Sequence, residues 1–588
     1  MTRSRLLSLL VSLLLAAGLW FLLARPVDIG VDWHGDYASA SFAPFREGQS
    51  PLRHLYPTHE QIEADLLRLK GLFRGIRTYT ALEGMAEIPE LAAKHGLKLT
   101  HSAWLGRDAK INEAEVDALI QAANTYPQAV ERVIVGNEVL LRRDLSRDEL
   151  IAYIDRVRAT VKQPVSYADV WAFWLKNPQL AEHVDFITIH ILPYWEDEPV
   201  AAEDAEARFA EVIGKIRAAF PGKPILIGEA GWPSEGRSRG PAVADLPSAA
   251  YFVRELPRLA AKYQVDYNVV EAYDQPWKAQ LEGTMGARWG LYDIDRQLKF
   301  ERTGPVEPFP QALPRAVTAL VLGTLLGLLL VPSTALPLLA FSIALACQAL
   351  AAGSVETLWH IARVAISPTS LTWFLQRGLF LAADAGWLDK PTVGELYRAL
   401  ADSAPGAAEL WAGLRLVFAS VFLLLSVGLA RARCAGRRAD ALARLVRASY
   451  LSYCVGAIAV SLMLALNGRY MDIPTPEFWI TLLAMPLLAL SNRAGKVGHG
   501  LAFATLTHSG RLPRWLPHLL LLCAAAVIIG EGWAVAGEDF MAMHPSWGER
   551  LPLILKAMVW NREILGWAAM LVALSIPLWR QNRAPAVR

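Results

Sequence analysis

Two kinds of apolar patterning divide this chain. Between residues 28 and 305, short apolar runs of strand length alternate with segments whose apolar positions recur every three to four residues. The runs predict strands at 29–33, 75–80, 97–105, 132–139, 165–170, 186–192, 225–229 and 268–273. Between them the pattern predicts helices over 60–72, 113–126, 147–160, 202–219 and 249–263. Strands and helices alternating in this way fit an α/β fold, a (β/α)8 barrel with a parallel sheet. A doubly wound open sheet is the alternative, but no glycine-rich phosphate loop follows the first predicted strand.

Beyond Pro310 the apolar positions merge into leucine-rich runs of membrane length, at 313–331, 334–352, 410–430, 449–467, 476–491, 516–536 and 562–579. An eighth run, 6–24, follows Arg3 and Arg5 and precedes Arg25-Pro26. Its length and the lack of a small-x-small cleavage site favour an uncleaved signal anchor with a cytoplasmic N-terminus; a cleaved signal is the alternative. Counting spans from that anchor puts the loops 431–448 and 492–515 and the tail 580–588 in the cytoplasm. Those are the arginine-rich loops, the first holding Arg431, Arg433, Arg437, Arg438, Arg444 and Arg447. The expected organisation is a signal anchor over 1–27, a catalytic barrel over 28–308, and a domain of about seven transmembrane helices over 311–588. Both termini are expected inside a bacterial inner membrane, with the barrel and the partly amphipathic segment 353–409 on the periplasmic side. Glu531 lies in or near a predicted span, where acids are functional candidates, or at its solvated outer end.

Composition agrees with this division. A hydrophobic fraction of 54% and a mean hydropathy of +0.27 are high for a soluble protein. A net charge of +2 points to no nucleic-acid partner. All four cysteines, Cys347, Cys434, Cys454 and Cys523, fall in the membrane half, so the barrel carries no disulfide framework.

Candidate chemistry sits at the strand ends. The run 132–139 ends in Gly136-Asn137-Glu138, and 225–229 ends in Gly228-Glu229, followed by Gly231-Trp232-Pro233. Two acids, each delivered by its own buried strand, suggest a two-carboxylate enzyme. Trp104, Tyr194 and Glu271 also fall at or near strand ends, where barrel active sites gather. His34, His54, His59 and His101 lack metal-binding spacing, and neither a metal nor another cofactor is expected.

Gly136-Asn137-Glu138 and Gly228-Glu229-Ala230-Gly231-Trp232-Pro233-Ser234 resemble the acid/base and nucleophile motifs of glycoside hydrolase family 17, the β-1,3-glucanases and glucanosyltransferases. Arg77-Thr78-Tyr79, Pro193-Tyr194 and the stretch from Glu271 through Trp277-Lys278 resemble that family's second, sixth and eighth strand signatures. The resemblance implies Glu138 as general acid/base and Glu229 as nucleophile. It places Arg77, Tyr79, Trp104, Asn137, Tyr194, Trp232, Glu271, Trp277 and Lys278 at the substrate. In that scheme Asn137 holds the sugar 2-OH, and Tyr194 donates to Glu229 and keeps it ionised. Trp104, Trp171, Trp174, Trp195, Trp232 and Trp277 are candidates for a sugar-stacking floor or for barrel and loop core. Arg77 reads equally as a buried arginine paired to an acid beneath the site. Gln275 stands where plant members usually carry an acid, and His190 where they have Asn.

The resemblance implies a membrane-anchored retaining enzyme that cleaves β-1,3-glucan and passes the glycosyl unit to an acceptor sugar. Release to water by an endo-β-1,3-glucanase is the alternative. A role within a β-1,3/β-1,6-glucan synthase or export system is another, though the predicted cytoplasmic loops offer no nucleotide-sugar site. Expected partners are β-glucan, membrane lipid and a separately encoded glucan synthase.

Overall fold

The computed structural model describes residues 2–46, 48–82, 84–363, 404–468, 471–473, 479–480, 482–494, 512–537, 540–541, 544 and 546–581. They form two units, Val27–Val306 and the pair Met1–Pro26 with Glu307–Arg588.

In the first unit eight strands pair in parallel, in chain order: β1 (Tyr37–Ser41), β2 (Phe73–Arg77), β3 (Lys98–Ala103), β4 (Val130–Asn137), β5 (Val165–Val170), β6 (Ile187–His190), β7 (Ile225–Gly231) and β8 (Asp266–Val270). β8 returns to β1 and closes the barrel. The helices between them start on defined signals. Thr58 with Gln61 and Ser146 with Glu149 form capping boxes, while Asp108 and Asp245 accept from backbone N–H groups of the first turn. Each cap satisfies donors a helix start would otherwise leave orphaned.

The first strand differs from expectation. Residues 29–33 form no strand; they are strapped to the end of the unit. Val27 pairs antiparallel with Val306, and the Trp33 N–H donates to the Arg302 carbonyl at 2.9 Å. Buried Arg254 clamps both sides, donating to the carbonyls of Val31 at 3.0 Å and Gly304 at 2.8 Å. The true β1, Tyr-Ala-Ser-Ala-Ser, has no β-branched residue and little intrinsic strand preference. Its pairing partners impose the conformation, Tyr37 beside Phe73, Ser41 beside Arg77 and Ala40 beside Val269. The small side chains leave room for polar contacts: Ser39 Oγ donates to Asn268 Oδ1 at 2.7 Å, and Ser41 Oγ lies 2.7 Å from the Tyr79 hydroxyl.

Close approach also fixes the end of β7. A Cβ on Gly231 would lie 2.0 Å from the Val270 carbonyl oxygen and 3.0 Å from Trp289 Cε3. The first obstacle is backbone, which cannot rotate away. Gly231→Ala is therefore expected to destabilise the barrel by about 3 kcal/mol, the upper part of the usual cost of overpacking. Denaturant unfolding of the full chain, followed by barrel tryptophan fluorescence, checks this; an unshifted transition would contradict it.

The second unit is helical. Among its described residues, and with the N-terminal helix, seven helices are long and apolar enough to cross a membrane: Arg3–Leu23, Ala312–Leu330, Pro337–Trp359, Leu416–Cys434, Asp440–Leu466, Leu516–Trp533 and Arg562–Trp579. They pack through residues such as Ile343, Phe422, Val446, Tyr450, Leu520 and Leu571. Several polar side chains buried there find partners on other elements of the unit. Gln348 Nε2 donates to Thr324 at 3.1 Å, Trp567 Nε1 to Ser461 Oγ at 2.9 Å, and Asn561 Nδ2 to Glu531 Oε1 at 2.7 Å. Glu531 is thus buried and bonded rather than a solvated end. Of the expected span 476–491, residues 476–478 and 481 lie outside the described residues, and the helix there is Ala484–Ala494. Most of the segment 353–409, most of the loop 492–515 and the tail from 582 onward also lie outside them.

Candidate active site

The C-terminal ends of β2, β4, β6, β7 and β8 bring together most of the charged residues singled out above. Glu138 follows β4 directly. Its φ of 53° is left-handed, and Gly136 before it has φ 85°. A left-handed non-glycine residue costs about 1–2 kcal/mol, so this turn persists only because its surroundings hold it. The Glu138 N–H donates across to the Ala168 carbonyl at 2.8 Å. Arg142 fixes the following loop, donating to the Leu105 carbonyl at 2.8 Å, to Asp144 at 2.7 Å and to the Asn137 carbonyl. The turn aims the Glu138 carboxylate into the barrel mouth.

Glu229 lies within β7 and is buried. Its Oε1 is 3.3 Å from Arg77 Nη1 and 3.6 Å from His190 Nε2. Arg77, fully buried at the end of β2, also donates to the Gly228 carbonyl and to Asn137 Oδ1, each at 2.7 Å. Its guanidinium sits 4.6 Å from the Tyr79 ring centroid. One arginine thus ties three strands together beneath the site. It acts by positioning Glu229 and Asn137, with no exposed surface left for sugar.

His190, at the end of β6, connects the two acids. Nδ1 is 3.0 Å from Glu138 Oε1, while Nε2 faces Glu229. One donor atom from each of Glu138, His190 and Glu229 can be chosen so that all lie within 4.8 Å of one another. Such a set could also suit a divalent cation. Here each imidazole nitrogen already faces one carboxylate, which makes the trio an acid–imidazole–acid array.

Burial pushes the Glu138 carboxyl up, but the hydrogen bond and charge of His190, with Arg142 and Arg77, outweigh it and hold Glu138 below the usual range. Burial pushes the His190 imidazole down, yet the two carboxylates prevail and raise it. Behind Glu138, burial and then the Glu138 charge push buried Asp169 up to about 7. Asp169 accepts from the Tyr167 hydroxyl and from the Val170 N–H, the latter at 2.8 Å. At the end of β8, Glu271 accepts from Lys278 Nζ at 2.8 and 3.0 Å. Burial drives Glu271 and Glu282 up to about 7 against the Lys278 charge.

Two expected roles need correction. Tyr194 does not serve Glu229: its hydroxyl donates its single proton to the Arg237 carbonyl. Its ring is buried among Trp195, Trp232 and Trp289, with centroids 5.4, 5.9 and 6.0 Å away. Tyr194 is a loop anchor rather than a sugar ligand. Trp232 is likewise core, packed on Phe252 at 5.7 Å with its N–H on the Val243 carbonyl at 2.7 Å. Trp171 and Trp174 are buried as well. Trp104, 38% exposed under the Arg142 guanidinium, and partly exposed Trp195 and Trp277 keep surface for stacking.

The sequence reading placed neither His190 nor Asp169 in the site. His190 ends β6 and Asp169 is the last residue but one of β5, the same strand-end signal that marks Glu138 and Glu229. Arg142 had no such signal, because it acts from a loop.

A family model described as the BtgE/BtgC glycoside hydrolase domain matches residues 39–290. A glucan 1,3-beta-glucosidase of Arthroderma benhamiae is 28% identical over 256 residues, 40% of this chain and 82% of that one. A glucan 1,3-beta-glucosidase of Candida albicans is 26% identical over 266 residues, covering 40% and 84%. Among solved structures, the glycoside hydrolase family 17 beta-1,3-glucanosyltransferase from Rhizomucor miehei matches with a TM-score of 0.40 at 24% identity, over 45% of this chain and 95% of that one.

Proposed function

The barrel of this chain is a glycoside hydrolase family 17 domain of the β-1,3-glucanase kind, and from that premise we propose a membrane-anchored, retaining enzyme that remodels β-1,3-glucan by glycosyl transfer. The observation that carries the chemistry is the approach of Glu138 and Glu229 oxygens within 4.8 Å. Retaining glycosidases hold their carboxyl groups about 5–5.5 Å apart, while inverting enzymes need about 6.5–9.5 Å to admit a water. In this reading Glu229, held in place by Arg77, attacks the anomeric carbon while Glu138 protonates the departing sugar oxygen. Glu138 then takes the proton from an acceptor hydroxyl as that oxygen displaces Glu229. Asn137, oriented by Arg77, is placed to bond the sugar beside the acid.

Water and a sugar hydroxyl both resolve such an intermediate through the same two acids. The seven apolar helices favour a sugar acceptor, because a scavenging hydrolase needs no polytopic membrane unit. The arginine-rich 431–448 stretch supports cytoplasmic termini and a barrel on the periplasmic side of a bacterial inner membrane. There lipid surrounds the helices and a separately encoded synthase would deliver the glucan. Incubation with a defined laminari-oligosaccharide, followed by mass and linkage analysis, is expected to give products longer than the substrate at millimolar concentration. Shorter sugars alone, at every concentration, would leave hydrolysis as the activity.

A further inference from the structure

We propose that His190 is a positioning residue that stores the proton Glu138 delivers to the leaving sugar. This rests on the two-carboxylate reading above. His190 is buried at the end of β6, with Nδ1 3.0 Å from Glu138 Oε1 and Nε2 3.6 Å from Glu229 Oε1. Nε2 is buried and makes no hydrogen bond among the described residues, so the ring's hydrogen bond goes to the acid/base, while Glu229 faces it as a charge partner at 3.6 Å. The charged groups facing it are Arg77 from β2, Glu138 after β4, Asp169 from β5 and Glu229 from β7. Gly228 keeps the space open, since a Cβ there would lie 3.5 Å from His190 Cδ2 and 2.5 Å from Thr188 Cγ2.

The proton count explains the arrangement. With Glu138 and Glu229 as carboxylates, Arg77 as guanidinium and a protonated His190 directing Nδ1 at Glu138, the four charges sum to zero and the set already holds one transferable proton. When sugar displaces water, the Nδ1–H bond breaks and an O–H bond forms on Glu138, with no proton drawn from solvent. Glu138 then gives that proton to the glycosidic oxygen as its bond to the anomeric carbon breaks and the Glu229 ester forms. His190 is left neutral and Glu138 anionic, and the ester has removed the second negative charge. The set is neutral again. On deglycosylation the acceptor's proton passes to Glu138 and back to Nδ1. The array therefore resolves a conflict: Glu138 is ionised in the empty site yet must act as an acid.

The test compares two substrates on the full-length enzyme, a laminari-oligosaccharide and an aryl β-glucoside whose leaving group needs no proton. In His190→Gln, kcat/KM for the oligosaccharide is expected to fall about ten- to a hundredfold. The aryl glucoside should lose at least about tenfold less, and the alkaline limb of the oligosaccharide profile should move down by about one pH unit. Equal losses on both substrates, or an unmoved alkaline limb, would overturn the proposal. Without any variant, the alkaline limb of the unsubstituted enzyme should be marked with the oligosaccharide and weak with the aryl glucoside. Identical limbs would also overturn it. Failure of the underlying two-carboxylate reading is distinguishable, since the unsubstituted enzyme would then release no aryl alcohol.

Discussion

Glu229→Gln is expected to lower turnover of laminari-oligosaccharides by at least about four orders of magnitude while leaving their binding within about threefold. The amide matches the carboxylate in size, so β7 and its neighbours keep their packing. What changes is the group opposite the anomeric carbon, which can no longer form the ester. Arg77 retains its bonds to the Gly228 carbonyl and to Asn137, so the floor of the site stays in place. Steady-state kinetics and titration calorimetry on the same preparation separate the two effects. A variant retaining a tenth of the activity would remove Glu229 from the nucleophile's role.

Arg77→Met is expected to damage stability and activity together. The guanidinium is fully buried and serves Gly228, Glu229 and Asn137 at once. Methionine fills much of the volume but leaves a buried carboxylate with half its cationic partners, takes the donor from Asn137 Oδ1, and leaves the Gly228 carbonyl only Asn268 Nδ2 at 3.1 Å. Breaking a buried pair from one side costs about 3–5 kcal/mol. Loss of the group that fixes both Glu229 and Asn137 is expected to cost about a hundredfold or more in kcat, the scale of a missing electrostatic donor. Arg77→Lys should recover little, because a single ammonium cannot reproduce three bonds from a planar fork. Denaturant unfolding and kcat measured in parallel check this; a variant as stable as its parent would contradict the placement of Arg77 beneath the site.

Much of this architecture is legible in the sequence because β-branched runs mark buried parallel strands. Residues 130–137 and 225–231 stand out for that reason, and each brings a glutamate to the barrel mouth. β1 escaped because its strand character comes from neighbours 36 and 229 positions away, Phe73 and Val269, rather than from its own residues. The same limit governs side chains. Arg77 finds Asn137 60 residues on and Glu229 152 residues on, while His190 meets Glu138 across 52. No local pattern encodes those distances. Tyr194 was misassigned because its proton goes to a backbone carbonyl in the loop after β7, and the path of that loop leaves no periodic trace. Trp232 follows Glu229 closely in sequence, yet β7 turns its ring onto Phe252 instead of the cleft.

In the proposed mechanism Glu229 becomes covalently bonded to the sugar. An activated 2-deoxy-2-fluoro-β-glucosyl or laminaribiosyl substrate forms such an ester quickly and releases it slowly, so the intermediate accumulates. Peptide mass spectrometry of the trapped enzyme measures this directly. The expected result is a single added glycosyl mass on the peptide carrying Glu229, absent in Glu229→Gln. An adduct on Glu138, or none in an enzyme that still turns over laminari-oligosaccharides, would contradict the account.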